Sequence, residues 1–308
     1  MSFAPRSIDA EQTGVRMRSL LFVPGDSERK FAKARDCAAD ILFLDLEDSV
    51  APSMKEAART AVAEWIKCAD DIAPSLFVRI NPLDSHMAAD DLAAVVQPGL
   101  AGILLPKANG GQDMAMLAGM IDRLEADTGM PHNSVRIMVV ATETPVAMFN
   151  LGSYVPPHPR LAALTWGAED LAAAIGASYN KEADGNWTFP YQVARAQCLF
   201  AAAAAEVPSI DTLYADFRDT EGLAADCRRA RRDGFAGRIA IHPDQVPTIN
   251  ACFQPSAQEI EEARRVVAAF AAEPDVGTVG IDGRMVDIPH LKAARKILAA
   301  AGAEELMQ

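Results

Sequence analysis

Ile41-Leu42-Phe43-Leu44 runs directly into Asp45-Leu46-Glu47-Asp48. Four apolar residues in unbroken succession read as a strand buried on both faces, because a strand with one wet face alternates apolar and polar residues. The carboxylates then mark the strand's carboxyl end. Seven further runs sit between longer amphipathic stretches, at residues 20–23, 76–80, 103–105, 135–140, 161–166, 210–214 and 238–241, and most are apolar throughout. The segments between them read as helices. Ser53 and Glu56 form an S-x-x-E capping box that opens a helix through Trp65, and residues 112–127, 190–206 and 220–233 give three more, the last stopped by Gly234. Eight strands alternating with helices predict an α/β fold, a closed (β/α)8 or TIM barrel, for which about 250 residues are typical. The alternative, an open doubly wound sheet, lacks a G-x-G-x-x-G after its first strand.

The pattern changes after the eighth run. Ser256 and Glu259 form a second capping box, Asp282-Gly283 is a hairpin turn signal between apolar runs, and a last helix runs from about Pro289 to Ala300. This tail is not needed to close a barrel. It reads as a helical and hairpin extension that folds as a lid over a site, its own or a neighbour's. The expected organisation is a polar arm over residues 1–17, a catalytic barrel over 18–252 and the extension over 253–308.

The 308 residues carry 29 Lys and Arg against 42 Asp and Glu, a formal net charge of -13. Duplex nucleic-acid binders show the opposite sign, so no nucleic-acid partner is expected. No apolar run reaches the ~18 residues of a membrane span, and the polar start has no signal-peptide core. The five cysteines are odd in number and form no CxxC, which argues against a disulfide framework or structural zinc and fits a reducing cytoplasm.

Active sites of such barrels lie at the carboxyl ends of the strands. There the sequence places Asp45, Glu47 and Asp48; Arg79 and Asn81; Lys107; Glu143; Glu169 and Asp170; Asp216; and His242. Acids outnumber bases, an excess that a divalent cation accounts for, since hard cations take oxygen ligands. Glu143 and Asp170 follow adjacent strands. Each has a plainer reading, Glu143 as a loop residue and Asp170 or Glu169 as a helix cap. Arg79 ends a buried strand and needs an anion, either a ligand or a structural partner in Asp45 or Glu47. Lys107 reads as a carboxylate tether before it reads as a Schiff-base lysine, because acidic neighbours keep it protonated. His242 is a base or a packing residue.

These residues resemble a known family. Arg18-Ser19-Leu20-Leu21-Phe22-Val23-Pro24-Gly25-Asp26 and residues 41–52 look like the opening of citrate lyase beta-subunit-like proteins, within the HpcH/HpaI aldolases and beside the malyl-CoA and citramalyl-CoA lyases. Val78-Arg79-Ile80-Asn81, Leu105-Pro106-Lys107, Glu143-Thr144-Pro145, residues 167–171, Ile241-His242-Pro243 and Met285-Val286-Asp287-Ile288-Pro289-His290 match further. The resemblance implies a Mg²⁺-dependent barrel acting on acyl-CoA or acyl-carrier thioesters, as a homotrimer or a multiple of one. It implies Glu143 and Asp170 as metal ligands, Arg79 near the reacting carbonyl and Asp287 as an acid/base group on the lid. With it, Glu47 and Asp45 hold metal-bound waters or orient Lys107, and the turn Gly167-Ala168-Glu169 holds a 2-oxoacid carboxylate. The CoA substrate that the resemblance implies makes Arg18, Arg29, Lys30 and Lys33 the expected partners of its phosphates. The expected reaction splits a 3-hydroxyacyl-CoA into a 2-oxoacid and a shorter acyl-CoA. The alternatives are hydrolysis of the same thioester, and a beta subunit working on a carrier-protein thioester in a citrate lyase complex.

Overall fold

The computed structural model describes residues 16–273 and 276–302. The polar arm expected over 1–17 therefore lies outside the described residues except for Arg16 and Met17. Eight parallel strands close in chain order: β1 (Ser19–Pro24), β2 (Ile41–Asp45), β3 (Ser75–Arg79), β4 (Gly102–Leu105), β5 (Arg136–Val140), β6 (Leu161–Thr165), β7 (Ser209–Asp211) and β8 (Gly237–Ala240), which pairs back onto β1. The helices are α1 (Glu28–Ala34), α2 (Lys55–Ile66), α3 (Ala88–Val95), α4 (Gly111–Thr128), α5 (Ala147–Asn150), α6 (Glu169–Ile175), α7 (Phe189–Ala204), α8 (Thr220–Asp233) and α9 (Val246–Phe253). This is the expected (β/α)8 barrel. None of the described helices is long and apolar enough to cross a membrane.

The apolar runs become strands because both faces are covered. Every residue of β2 is buried. Phe43 meets Phe22 at 5.1 Å and Phe77 edge-on at 6.1 Å, so aromatic rings from three successive strands pack side by side at one level of the barrel. Gly102 of β4 makes room for this packing: a Cβ there would stand 2.2 Å from the Phe77 ring. The register puts Pro24, Asp45 and Arg79 level with one another at the carboxyl ends of β1, β2 and β3.

Two local expectations are corrected. Ser53 does not cap α2. Pro52 starts a 3₁₀ turn over Pro52–Met54, which places Ser53 inside helical backbone and leaves its side chain no cap bond. The seventh strand ends at Asp211, not at Tyr214, because Asp211 and Thr212 turn into side-chain and ionic contacts instead of continuing the ladder. Gly234 does end α8 in the left-handed region (φ +113°).

Residues 16–250 form one compact unit and the described residues from 251 onward belong to another. Within the second unit, the Ser256–Glu259 capping box opens α10 (Ala257–Ala272). Strands β9 (Thr278–Ile281) and β10 (Arg284–Asp287) pair antiparallel across Asp282-Gly283, both at positive φ. α11 (Ile288–Ala300) packs on α10 through Ala263, Ala294 and Leu298, and Phe270, Val279 and Leu291 close a second small core.

Candidate active site at the carboxyl ends of the strands

Arg79 and Asp45, level on adjacent strands, form a two-pronged ion pair. The Arg79 Nε–H donates to Asp45 Oδ1 at 2.7 Å and Nη2–H to Oδ2 at 2.6 Å. Burial works against ionising Asp45, but the Arg79 bonds and charge outweigh it and hold the carboxyl below the usual range. The backbone N–H groups of Glu47 and Ser49 donate to the same carboxylate, so the loop after β2 wraps around it. Lys55 pins this loop from outside, donating to the carbonyls of Leu46 and Glu47 (2.7 Å each) and to Asn81 Oδ1. Asn81 is held in turn by buried Asp91.

Glu47 is buried between two cations: Arg79 Nη1 lies 2.9 Å from Oε2, and Lys107 Nζ donates to Oε1. Oε2 nevertheless receives no aligned hydrogen bond. Lys107 also reaches Asp48 at 2.9 Å and Asp170 at 3.4 Å. Burial would lower its pKa, yet the bonds to Glu47 and Asp48 raise it, so the ammonium stays protonated. In this arrangement the side chain ties together carboxylates of the loops after β2 and β6.

Lys107 itself sits in the left-handed region at φ +50°, a conformation that costs an L-residue roughly 1–2 kcal/mol. The gain is directional. From there its backbone N–H donates to Glu143 Oε2 at 2.7 Å while its side chain spans the carboxylates of two other loops. Glu143 is buried three residues beyond β5. Burial, with Asp170 and Glu47 close by, pushes its carboxyl up to about 8. Gly167 leaves it the space: a Cβ there would lie 2.6 Å from Glu143 Cγ and 2.9 Å from Oε1. Arg79 and Lys107 are thus two cations among five carboxyl groups, Asp45, Glu47, Asp48, Glu143 and Asp170, and the cluster is left short of positive charge. Carboxylate oxygens in a cradle of this kind are a donor set for a hard divalent cation. The turn after β6 is less open than expected, since the Gly167 N–H is already taken by Thr142 Oγ1 at 3.2 Å.

A cavity of about 730 Å³ opens beside this cluster, bounded by Asp45, Arg79, Lys30, Lys33, Phe22 and His242. Lys30 and Lys33, with Arg29, do border the mouth. Arg18 does not. It precedes β1, at the opposite end of the barrel, and its guanidinium is gripped by Asp40 at 2.8 and 3.0 Å. Strand direction alone carried this signal, because a residue before a parallel strand belongs to the amino face. His242 stacks on Phe217 (4.6 Å) and its Nδ1 accepts from the Asp244 N–H, capping the short turn Pro243–Gln245.

In the second unit Asp287 is the N-cap of α11. Its Oδ1 accepts from the His290 N–H and meets the His290 ring, and that contact holds the carboxyl below its usual range. Among the described residues, one other acidic group has metal-site spacing, namely Asp122, Glu125 and His132. Arg160 already occupies its centre, donating to Asp122 at 2.5 Å and to both oxygens of Glu125 at 2.8 and 2.5 Å, so its charge is met.

The sequence reading missed Asp211. This buried carboxylate ends β7 as Asp45 ends β2, and it accepts from Trp166 Nε1 (2.7 Å), Arg238 (2.8 Å) and Arg195 (3.1 Å). An acid closing an apolar run was the available signal.

Residues 18–243 match the HpcH/HpaI aldolase/citrate lyase family. A (3S)-malyl-CoA thioesterase of Cereibacter sphaeroides is 35% identical over 288 residues, 93% of this chain and 95% of that protein. A citrate lyase subunit beta-like protein of Mycobacterium tuberculosis is 34% identical, covering 92% of this chain and 94% of that protein. The citrate lyase subunit beta of Escherichia coli K12 is 32% identical, covering 96% of each. Among solved structures, CitE of Mycobacterium tuberculosis in complex with magnesium, acetoacetate and coenzyme A superposes with a TM-score of 0.72 at 33% identity, over 93% of this chain and 98% of that one.

Proposed function

Since the chain belongs to the HpcH/HpaI aldolase/citrate lyase family, we propose that it is a Mg²⁺-dependent carbon–carbon lyase. Its substrate is a 3-hydroxyacyl-CoA thioester, which it splits into, or forms from, a 2-oxoacid and a shorter acyl-CoA. The observation that carries this reading is the cluster of Glu143 and Asp170 beside an Arg79 held rigidly at the barrel mouth. Glu143 and Asp170 would hold the Mg²⁺, whose charge, when bound, polarises the oxygens of the 2-oxoacid half. Similar proteins solved with magnesium and acetoacetate, pyruvate or oxaloacetate support that choice.

In cleavage a carboxylate at the site takes the 3-hydroxyl proton, the hydroxyl oxygen becomes the carbonyl of the 2-oxoacid as the C2–C3 bond breaks, and that bond's electron pair passes to the thioester as an enolate. Arg79 is fixed before the reaction begins, so its positive charge meets the enolate oxygen without reorganisation. Asp45 and Lys107 keep Arg79 and Glu47 in place. Asp287 returns a proton to the α-carbon, and removes it in the condensing direction. The N–H groups of Ala168 and Glu169 hold the 2-oxoacid carboxylate, and Lys30 and Lys33 meet the CoA phosphates. A homotrimer or a multiple of it, in the cytoplasm, goes with this reading.

Hydrolysis is the second reading, favoured by the identity to malyl-CoA thioesterases. There water attacks the thioester carbonyl and the C2–C3 bond survives. A carrier-protein thioester is a third, favoured by the likeness to a citrate lyase beta subunit. A product assay on a panel of 3-hydroxyacyl-CoA esters, with Mg²⁺ and with chelator, separates them. Metal-dependent 2-oxoacid release is expected. Free thiol without 2-oxoacid would establish the hydrolase, and no turnover of any CoA ester would shift the substrate to a carrier protein.

A further inference from the structure

The segment between α6 and α7 is folded on itself rather than loose. Lys181 and Trp187 form an antiparallel bridge, the Glu182 N–H donates to the Asn186 carbonyl at 2.8 Å, and Gly185 supplies the turn at φ +82°. This small hairpin touches the turn after β6 at two points. Trp187 meets Trp166 edge-on, with ring centres 5.1 Å apart and planes at 74°. Asn180 Nδ2 donates to Glu169 Oε1 at 3.0 Å. The hairpin is braced from outside by Gln192, which donates to the Trp187 carbonyl at 2.5 Å, and by Arg229, which donates to Asn186 Oδ1 at 3.0 Å, and from within by the Lys181 ammonium over the Trp187 ring at 4.5 Å.

The two contacted residues bracket the critical stretch. Trp166 precedes Gly167, and Glu169 precedes Asp170. Trp166 is fully buried, and its indole N–H is fixed on the barrel side by Asp211. Its ring is thus set by a hydrogen bond on one side and an aromatic edge on the other. Gly167 faces Glu143 so closely that an added Cβ would stand 2.6 Å from its Cγ, so a shift of this turn toward Glu143 meets that side chain. Residues 182–186 are exposed, so the hairpin contributes little to the barrel core.

We propose that the hairpin 180–187 is a positioning arm for the turn that carries Asp170, with Trp187 and Asn180 as its positioning residues. Trp187 acts through Trp166, and Asn180 through Glu169. Neither touches substrate. Their effect is to fix the separation of Glu143 and Asp170, and so the affinity for the cation between them. This rests on the reading of those two carboxylates as Mg²⁺ ligands.

The test is calorimetric Mg²⁺ titration of the full chain, with thermal unfolding measured on the same samples. Trp187→Ala is expected to weaken Mg²⁺ binding roughly 10-fold, the lower end for groups that orient ligands. Trp187→Phe, which keeps an aromatic edge, restores affinity to within about twofold. Asn180→Ala, a half-buried change that removes a bond at the surface, gives a smaller loss in the same direction at an unchanged unfolding midpoint. Wild-type affinity in both alanine variants would overturn the arm while leaving the ligand assignment intact. A loss in Trp187→Ala that Phe does not restore, with a lowered midpoint, would overturn it in favour of a merely structural role. A wild-type protein that takes up no Mg²⁺ would overturn the ligand assignment and the arm together.

Discussion

Asp45 and Arg79 are direct register partners on β2 and β3, and the guanidinium engages both oxygens of the carboxylate. The pair is a consequence of strand alignment, not of loop folding, so Arg79 is aimed by the barrel wall itself. Arg79→Lys keeps a charge but loses the fork. Turnover is expected to fall roughly 10²-fold, the size of losing one aligned donor to a developing oxyanion, with Mg²⁺ binding little changed. Asp45→Asn leaves the buried guanidinium short of a counter-charge and is expected to cost about 3 kcal/mol in urea unfolding. Equal turnover in Arg79→Lys and wild type would remove Arg79 from the reaction.

Gly167 and Glu143 give a second prediction. A methyl group at Gly167 would stand 2.6 Å from Glu143 Cγ, so Gly167→Ala must push that carboxylate aside. Mg²⁺ affinity is expected to fall roughly 10-fold, while Glu143→Gln, which removes the charge itself, costs roughly 100-fold or more. Both should keep the far-ultraviolet dichroism of wild type. Undiminished Mg²⁺ binding in Glu143→Gln would place the metal elsewhere.

The Arg160–Glu125 pair at the other end of the barrel predicts a pH dependence of stability. Burial works to raise the Glu125 pKa, but the Arg160 hydrogen bonds and charge and two backbone N–H donors bring it down to about 2. A carboxyl depressed on folding stabilises the protein above its unfolded pKa, and that contribution is lost as pH falls toward the folded value. The window here is about 4.5 down to about 2. Arg160→Met is expected to lose about 3 kcal/mol at pH 7, as for one broken buried pair. The gap to wild type should narrow as pH falls through that window. A gap that is constant with pH would mean that Arg160 contributes by packing alone.

The barrel was legible because burial on both faces leaves a plain mark: residues 41–44 are apolar without interruption, and the next residue is the carboxylate that meets Arg79. The second capping box, at Ser256, formed because nothing before it competes. The first failed because Pro52 starts helical backbone one residue early. What sequence could not show was three-dimensional aim. The left-handed backbone of Lys107 lets one residue hold Glu143 with its N–H and Glu47 with its ammonium, and no spacing rule announces that. The apolar–polar boundary of the seventh strand was blurred by Leu213 and Tyr214, which hid Asp211 as a buried hub.

Asp287 separates structural from chemical roles by substitution. As the N-cap of α11 its carboxylate accepts from the His290 N–H, and asparagine caps a helix about as well as aspartate. Asp287→Asn should therefore unfold at nearly the wild-type midpoint, while Asp287→Ala unfolds measurably earlier. If the side chain also moves the α-carbon proton, both variants lose turnover, by roughly 10²-fold or more for a missing acid/base group. His290→Ala adds a pH test. The contact with His290 keeps the Asp287 carboxyl below its usual range, so removing it raises that pKa, and the acid limb of the condensation rate should move to higher pH. A rate profile unchanged in His290→Ala, with full turnover in Asp287→Asn, would reduce Asp287 to a helix cap.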